Sequence, residues 1–90
     1  MDEKSYLISP NSILRKTKSS GYMAYVKGKP FIWEVNLTGA DLLKLLKVKR
    51  TSTYLICTLA KKYNLKPEEI KSDVLDFLRI YVMEGLLYIV

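Results

Sequence analysis

The spacing of apolar residues changes once along this chain, at the stretch NLTGADLLKLL from Asn36 to Leu46. Before this stretch, short apolar runs alternate with polar residues, which is typical of β-strands. After it, apolar residues recur three and four positions apart, which is typical of helices. Strands followed by helices within 90 residues predict one small α+β domain.

Three strands are predicted before the change, separated by the turn signals KSSG and GKP. Aromatic and β-branched residues are frequent in these runs, and they suit a pleated surface. Because the connections are short, the strands are expected to form an antiparallel meander of hairpins. The predicted strands are residues 13–17, 22–28 and 31–35.

The first predicted helix begins within the stretch where the spacing changes. Thr38 is its expected N-cap, because Asp41 follows three residues later as in a capping box. An acidic residue in the first turn also suits the helix dipole. The leucines that follow give the helix an apolar face, and it is expected to end near Lys47.

Two further helices are predicted in the second half of the chain. One runs from Thr51 or Ser52 to about residue 63. The other begins with Pro67 at its first position and runs to about residue 84, where Gly85 suits the left-handed C′ position. A three-stranded antiparallel sheet followed by three helices is a winged-helix-like arrangement.

The two ends of the chain differ in character. Residues 1–12 are mostly polar and are interrupted by Pro10, so we expect a flexible N-terminal arm followed by a domain of residues 13–90. Residues 86–90 are all apolar and are expected to add a short final strand.

The third predicted helix is apolar on more than one face. Its core stripe consists of Ile70, Val74, Phe77, Leu78 and Tyr81. Four other apolar residues lie off this stripe: Leu75, Ile80, Val82 and Met83. A surface helix usually has a single apolar face. The additional residues are therefore either covered by the sheet, the C-terminal tail or a second subunit, or they line a groove for a partner.

The residues that catalysis usually needs are scarce. The chain has no histidine, the commonest general base and metal ligand. Its single cysteine, Cys57, lies in an apolar helical pattern and is interpreted as a small core residue rather than a nucleophile. The four glycines are isolated, so no phosphate-binding loop is present. We therefore expect no catalytic residue, no metal site and no cofactor.

A cytoplasmic location is expected from three features. One cysteine cannot form an intrachain disulfide, which is compatible with a reducing compartment. Residues 1–4 are charged and no long apolar run follows, so no signal peptide is predicted. No segment approaches the roughly 20 apolar residues that span a bilayer.

Charge is unevenly distributed along the chain. Residues 1–66 contain 13 Lys and Arg against 4 Asp and Glu, whereas residues 67–90 contain 2 against 5. The formal net charge is +6. A basic body followed by an acidic last helix suggests a partner with acidic character.

Several short motifs resemble the PqqD family, which is also called the RiPP precursor peptide recognition element. They are the Asn-x-Thr-Gly-Ala turn at 36–40, Arg50-Thr51, the Pro-Glu-Glu-Ile start at 67–70, Asp-Val-x-x-Phe-Leu at 73–78 and Gly-Leu-Leu at 85–87. Together they extend over about two thirds of the chain, in the family's order. Two positions depart from the family pattern. Tyr54 stands where an acid is frequent and Lys66 where Asp is frequent, which weakens two helix starts.

The resemblance implies a non-catalytic protein that binds the leader segment of a ribosomally synthesised precursor peptide. The leader would lie along the third predicted strand as an added strand, in a cleft between that strand and the third helix. The resemblance also implies delivery of the precursor to a modifying enzyme, such as a radical SAM enzyme, or to a leader protease as in lasso-peptide pathways. The family takes its name from pyrroloquinoline quinone (PQQ) biosynthesis.

On this basis the peptide-binding residues are expected on the third strand and the third helix. They are Phe31, Ile32, Trp33, Glu34, Val35, Asp73, Asp76, Phe77, Ile80, Tyr81 and Glu84. Ile32 and Trp33 lie on opposite strand faces, so one is expected to face the cleft and the other the core, and the sequence leaves both assignments open. Ile80 is favoured as a pocket residue because it lies off the core stripe.

Some of these residues have a second interpretation. Phe77 and Tyr81 also suit the core. Asp73 and Asp76 would contact basic leader residues, or they are simply solvated. Lys27 and Lys29 would contact acidic leader residues, or they are ordinary exposed lysines of a turn.

Two other function classes fit parts of the sequence. A winged helix with a pI near 9.5 suggests DNA binding, but five acidic residues on the third helix would be repelled by phosphates. The alternative is a structural subunit or homodimer, in which a second copy covers the apolar tail and the exposed strand edge.

Overall fold

A computed structural model describes residues 3–19 and 21–90. Met1, Asp2 and the turn residue Ser20 lie outside the described residues, and so does the part of the expected arm that Met1 and Asp2 would form. The elements in chain order are β1 (Ser5–Ile8), β2 (Ser12–Lys16), β3 (Tyr22–Val26), β4 (Ile32–Val35), α1 (Leu37–Leu45), β5 (Arg50–Thr51), α2 (Ser52–Lys62), α3 (Pro67–Met83) and β6 (Leu87–Ile89).

The strands form two antiparallel sheets of three strands each. One has the order β2-β3-β4 and contains the meander that was predicted from the sequence. The other has the order β5-β1-β6 and joins segments from both ends and the middle of the chain. In the first sheet β4 pairs with β3 only, so β4 is an edge strand within the described part of the chain.

The α+β class and the three helices agree with the sequence prediction, but the prediction of one sheet is incomplete. The second sheet was missed because β5 has only two residues and β1 pairs with strands about 45 and 80 positions away. Local apolar spacing does not reveal such pairing. The winged-helix description stays a prediction.

The expected N-terminal arm differs most from the structure. Ser5–Ile8 is the central strand of the second sheet, and Tyr6 is only 8% exposed. The backbone N–H of Ile8 also donates to the carbonyl of Leu46 at 2.8 Å. The segment was predicted to be flexible because it is mostly polar, but its buried aromatic side chain, Tyr6, packs in the core.

The helix starts follow local capping chemistry. Asn36, not Thr38, caps α1: its side-chain oxygen accepts a hydrogen bond from the Gly39 N–H at 2.8 Å. The predicted capping box at Thr38 is therefore wrong, because the N-cap lies two residues earlier and the helix begins at Leu37. Thr51 caps α2, which begins at Ser52, one of the two predicted starts, and Gly85 after α3 has the predicted positive φ, 82°.

Eight of the nine elements, all except β5, contribute side chains to one hydrophobic core or pack against it. Leucines from the three helices and from the segment entering β6 form its centre, including Leu42, Leu55, Leu78 and Leu86. The prediction that Cys57 belongs to this core is wrong: it is exposed, because the buried face of α2 passes through Ile56 and Ala60 instead. Apolar neighbours in the sequence did not place it on that face.

Candidate functional site

Residues of the edge strand β4 and of helix α3 face each other across a space that is here called the groove. Side chains alternate along β4, so Trp33 and Val35 face inward while Ile32 and Glu34 are exposed on the outer face. Two cavities open along the groove, one beside Val35 and one beside Trp33.

The cavity beside Val35, here called the upper cavity, has a volume of about 510 Å³. Its α3 wall consists of Phe77 and Tyr81, whose rings stack with centroids 5.8 Å apart. The opposite wall comes from β4, its exit and the β2–β3 hairpin: Thr17, Ser19, Gly21, Tyr22, Glu34, Val35 and Asn36. This lining combines aromatic rings with side-chain hydroxyls.

The cavity beside Trp33, here called the lower cavity, is smaller, at about 200 Å³. Most of its lining is apolar, and two of the lining side chains carry opposite charges, Lys29 and Glu84. The apolar residues are Val26, Phe31, Trp33 and Met83. Phe31 and Trp33 contact each other with ring centroids 6.5 Å apart. The two most exposed of these apolar side chains, Phe31 (63%) and Met83 (73%), lie at its mouth.

Tyr81 lies at the floor of the upper cavity and is only 7% exposed. Its hydroxyl is close to Gly39 of α1, where a side chain would have no room. Burial raises the pKa of Tyr81, so the hydroxyl stays protonated at neutral pH.

The groove brings together seven of the eleven peptide-binding residues expected from the sequence. They are Phe31, Trp33, Glu34, Val35, Phe77, Tyr81 and Glu84. The other four, Ile32, Asp73, Asp76 and Ile80, are exposed but line neither cavity. Asp76 instead lies 3.7 Å from Arg79 of the same helix.

Three details of the site differ from the sequence interpretation. We expected one of Ile32 and Trp33 to face the cleft and the other to face the core. In the structure, Trp33 on the inward face of β4 contacts both the core and the groove, and Ile32 faces neither. Ile80, favoured as a pocket residue, lies outside both linings, whereas Phe77 and Tyr81 contact the core and also line the upper cavity. Of the two turn lysines, Lys29 lines the lower cavity and Lys27 does not.

Sequence reasoning missed the contribution of the β2–β3 hairpin and of Tyr22. Tyr22 shares its strand face with the buried residues Ala24 and Val26, but alternation along β3 does not indicate that this face extends into a groove. Met83 had a detectable signal, because it is apolar and lies off the core stripe of its helix.

A separate polar cluster joins α1 to α2. Asp41 is 6% exposed, accepts a hydrogen bond from the Tyr63 hydroxyl and lies 2.9 Å from Lys62 Nζ. Burial alone would raise the pKa of Asp41, but the Tyr63 hydrogen bond and the Lys62 ammonium outweigh it and lower the pKa. Burial, together with Asp41, raises the pKa of Tyr63 to about 12. The cluster shares no residue with the groove and fixes the packing of the two helices.

Over the described ranges, no three His, Cys, Asp or Glu side chains converge as metal ligands would. None of the three helices has the length and apolar content that crossing a bilayer requires.

Comparison with known proteins gives one family. The sequence model of coenzyme PQQ synthesis protein D (PqqD) matches residues 21–87. That range includes β3, β4, all three helices and the start of β6. No curated protein matches the sequence at a significant level.

Two solved structures share the fold. One is the solution NMR structure of the PqqD truncation of Methylobacterium extorquens PqqCD, described as a functional, stand-alone RiPP recognition element. It has a TM-score of 0.77 and 16% identity, over 93% of this chain and 88% of that one. The other is TbiB1 in complex with the TbiA(β) leader peptide, with a TM-score of 0.74 and 18% identity, over 90% of this chain and 93% of that one.

Proposed function

Because this chain belongs to the PqqD family, we propose that it binds the leader segment of a ribosomally synthesised precursor peptide. The leader adds as a strand to the free edge of β4 and lies in the groove against α3. The chain contributes no catalysis and delivers the precursor to an enzyme that acts on it, such as a radical SAM enzyme or a leader protease. Tethering the peptide to that enzyme raises its effective concentration.

One observation carries the proposal: an unpaired strand edge lies directly beside two lined cavities. Natural proteins usually protect such edges, because exposed backbone N–H and C=O groups pair with other chains. The C-terminal strand β6, which could have covered β4, pairs with β1 instead. The edge is thus free in the described part of the chain, and the adjacent cavities give an added strand places for its side chains.

One of the two structures of similar fold is a complex with a leader peptide. The TbiB1 structure holds a leader peptide and matches this chain over most of both lengths. At 18% identity this comparison supports the fold, and the assignment of the peptide-binding role to this chain is our proposal.

The proposal is tested with a leader peptide from a precursor gene that neighbours the gene of this chain. Two analogues are compared, in which alternate backbone nitrogens are methylated in the two complementary registers. In a strand, successive N–H groups point to opposite sides. Strand addition therefore predicts that one analogue loses binding in calorimetry and the other keeps it. Loss in neither or equal loss in both would contradict strand addition.

Nucleic-acid binding is the main alternative. In the structure the acidic residues Glu68, Glu69, Asp73 and Asp76 are exposed on α3, against Lys71 and Arg79. A helix with this surface is repelled by the phosphates that flank the major groove. A homodimer through the β4 edge would instead compete with the peptide. Light scattering with and without the leader distinguishes a homodimer from a peptide-binding monomer.

A further inference from the structure

The two cavities stand at a separation that suits one extended strand. The upper cavity is centred on Phe77 and Tyr81 of α3, and the lower one on Met83 and Glu84. At about 1.5 Å of rise per helical residue, the two centres are roughly 7 Å apart along α3. Val35 and Trp33, on the opposite wall, are two strand residues apart, which is also roughly 7 Å.

Residues two apart in a strand lie on the same face. From this coincidence, and resting on the proposed function, we propose that the bound peptide carries two anchor side chains separated by one residue. One anchor is a long side chain with a hydrogen-bonding end, such as arginine, glutamine or tyrosine, and it enters the upper cavity. The other is a large apolar side chain, and it enters the lower cavity.

The chemistry of the upper cavity selects the first anchor. Tyr81 is 7% exposed and lines this cavity, and its hydroxyl can donate or accept a hydrogen bond. A side chain that displaces water from this hydroxyl without replacing its hydrogen bond loses affinity. Glu34 is the only charged residue in the described lining, which disfavours an acidic anchor.

The lower cavity selects the second anchor by a different property. Trp33, Met83 and Val26 present apolar surface in a space less than half the volume of the upper cavity. The opposite charges of Lys29 and Glu84 at its edge cancel, so the cavity favours neither sign. Burial of an apolar side chain against these residues gives the anchor its affinity.

The test uses random peptides of about 12 residues, long enough to form one strand, displayed on phage and selected on the immobilised protein. We expect the selected peptides to share a hydrogen-bonding and an apolar anchor one residue apart, in either order. Peptides selected without this spacing would overturn the inference while leaving strand capture intact. If the selection yields no specific binder, the proposed function and the inference fail together.

Variants then assign each anchor to its cavity. Tyr81→Phe removes only the hydroxyl and should weaken a selected peptide about tenfold, but its analogue with phenylalanine at the polar anchor less than about twofold. Met83→Ala should weaken the selected peptide several-fold. Leu75→Ala is the control, because Leu75 is exposed on the same helix and lines neither cavity. Equal effects of Tyr81→Phe on both peptides would overturn the assignment of the polar anchor.

Discussion

Asp41 is a buried carboxylate at the contact between α1 and α2, and its ionised form is stabilised by the fold. The Tyr63 hydroxyl donates to it, and the Lys62 ammonium lies 2.9 Å away. Because these interactions hold the folded pKa of Asp41 below its ordinary value, Asp41 contributes stability above the pKa of the unfolded chain, roughly 4. This contribution is lost as the pH falls through the folded pKa.

We therefore expect the free energy of unfolding to decrease as the pH is lowered below about 4. In the Asp41→Asn variant this decrease should be smaller. At neutral pH the same substitution should cost about 1–3 kcal/mol, because it replaces a charged acceptor in a buried cluster. Urea unfolding at several pH values measures both effects. Asp76→Asn is the control, since Asp76 is an exposed carboxylate whose loss should change stability by less than about 0.5 kcal/mol.

Gly39 lies where α1 approaches the floor of the groove. A Cβ at this position would come within 2.8 Å of Val35 Cγ1 and would also clash with the Tyr81 hydroxyl. Gly39→Ala should therefore destabilise the fold by about 1–3 kcal/mol, although alanine is the better helix former. Chemical denaturation measures the loss.

The double variant Gly39→Ala with Tyr81→Phe provides the check on this explanation. Removing the hydroxyl relieves one of the two close contacts, so the two substitutions together should cost less than the sum of their separate costs. Additive costs would show that the Tyr81 contact does not limit this position.

At single positions, what the sequence could predict depended on whether the signal was local. The left-handed Gly85 and the start of α2 at Thr51 or Ser52 follow from short-range chemistry, and both predictions are confirmed. Cys57 and Ile80 were assigned from helical periodicity, which gives a face only to within about one residue. The double role of Tyr81 depends on β4 and Gly39, which are distant in the sequence.

Helix α3 begins without a side-chain cap. Lys66 occupies the N-cap position and has no acceptor to offer, although Glu69 accepts a hydrogen bond from the Lys66 N–H at 2.9 Å. Aspartate at this position would accept from a free N–H of the first turn and would suit the helix dipole. We expect Lys66→Asp to stabilise the protein by about 0.5–2 kcal/mol in urea unfolding.

Lys66→Ala separates capping from the simple loss of a positive charge near the helix start. It should leave stability almost unchanged, because neither residue caps. A similar gain from both substitutions would mean that the charge, not the cap, limits this helix start.

Among the helices and strands, too, those that depend on neighbouring residues were predictable from the sequence, and those that depend on distant residues were not. The bounds of α2, α3 and the β2-β3-β4 meander follow from turn residues, caps and apolar spacing within a few positions. The second sheet depends on Tyr6 facing Ile89 on one side and Arg50 on the other. Because these partners are far apart in the chain, no local pattern could have predicted the pairing.

The whole molecule uses this second sheet to keep the groove open. Because the apolar C-terminal strand β6 pairs with β1, it does not cover β4, and the β4 edge stays available. Charge is also divided along the chain: basic residues are concentrated before residue 67 and acidic residues after it. The groove lies between these parts and has a nearly neutral lining.

This distribution predicts different salt dependences for two kinds of ligand. The groove lining contains Glu34 in the upper cavity and the opposite charges of Lys29 and Glu84 in the lower one, so peptide affinity should change less than about threefold between about 50 and 200 mM salt. Any binding of random duplex DNA depends on phosphate contacts with the net charge of +6, and it should fall steeply over the same range. Fluorescence anisotropy with both labelled ligands measures the contrast.

A charge-reversal variant connects this contrast to particular residues. Lys47 and Lys49 are exposed beyond α1 and line neither cavity of the groove. Replacing both with glutamate should remove residual duplex binding and leave peptide affinity within about twofold, because the peptide contacts a different face. If the duplex instead bound tightly at about 150 mM salt and displaced the peptide, the groove would be part of a nucleic-acid site and strand capture would not be its main role.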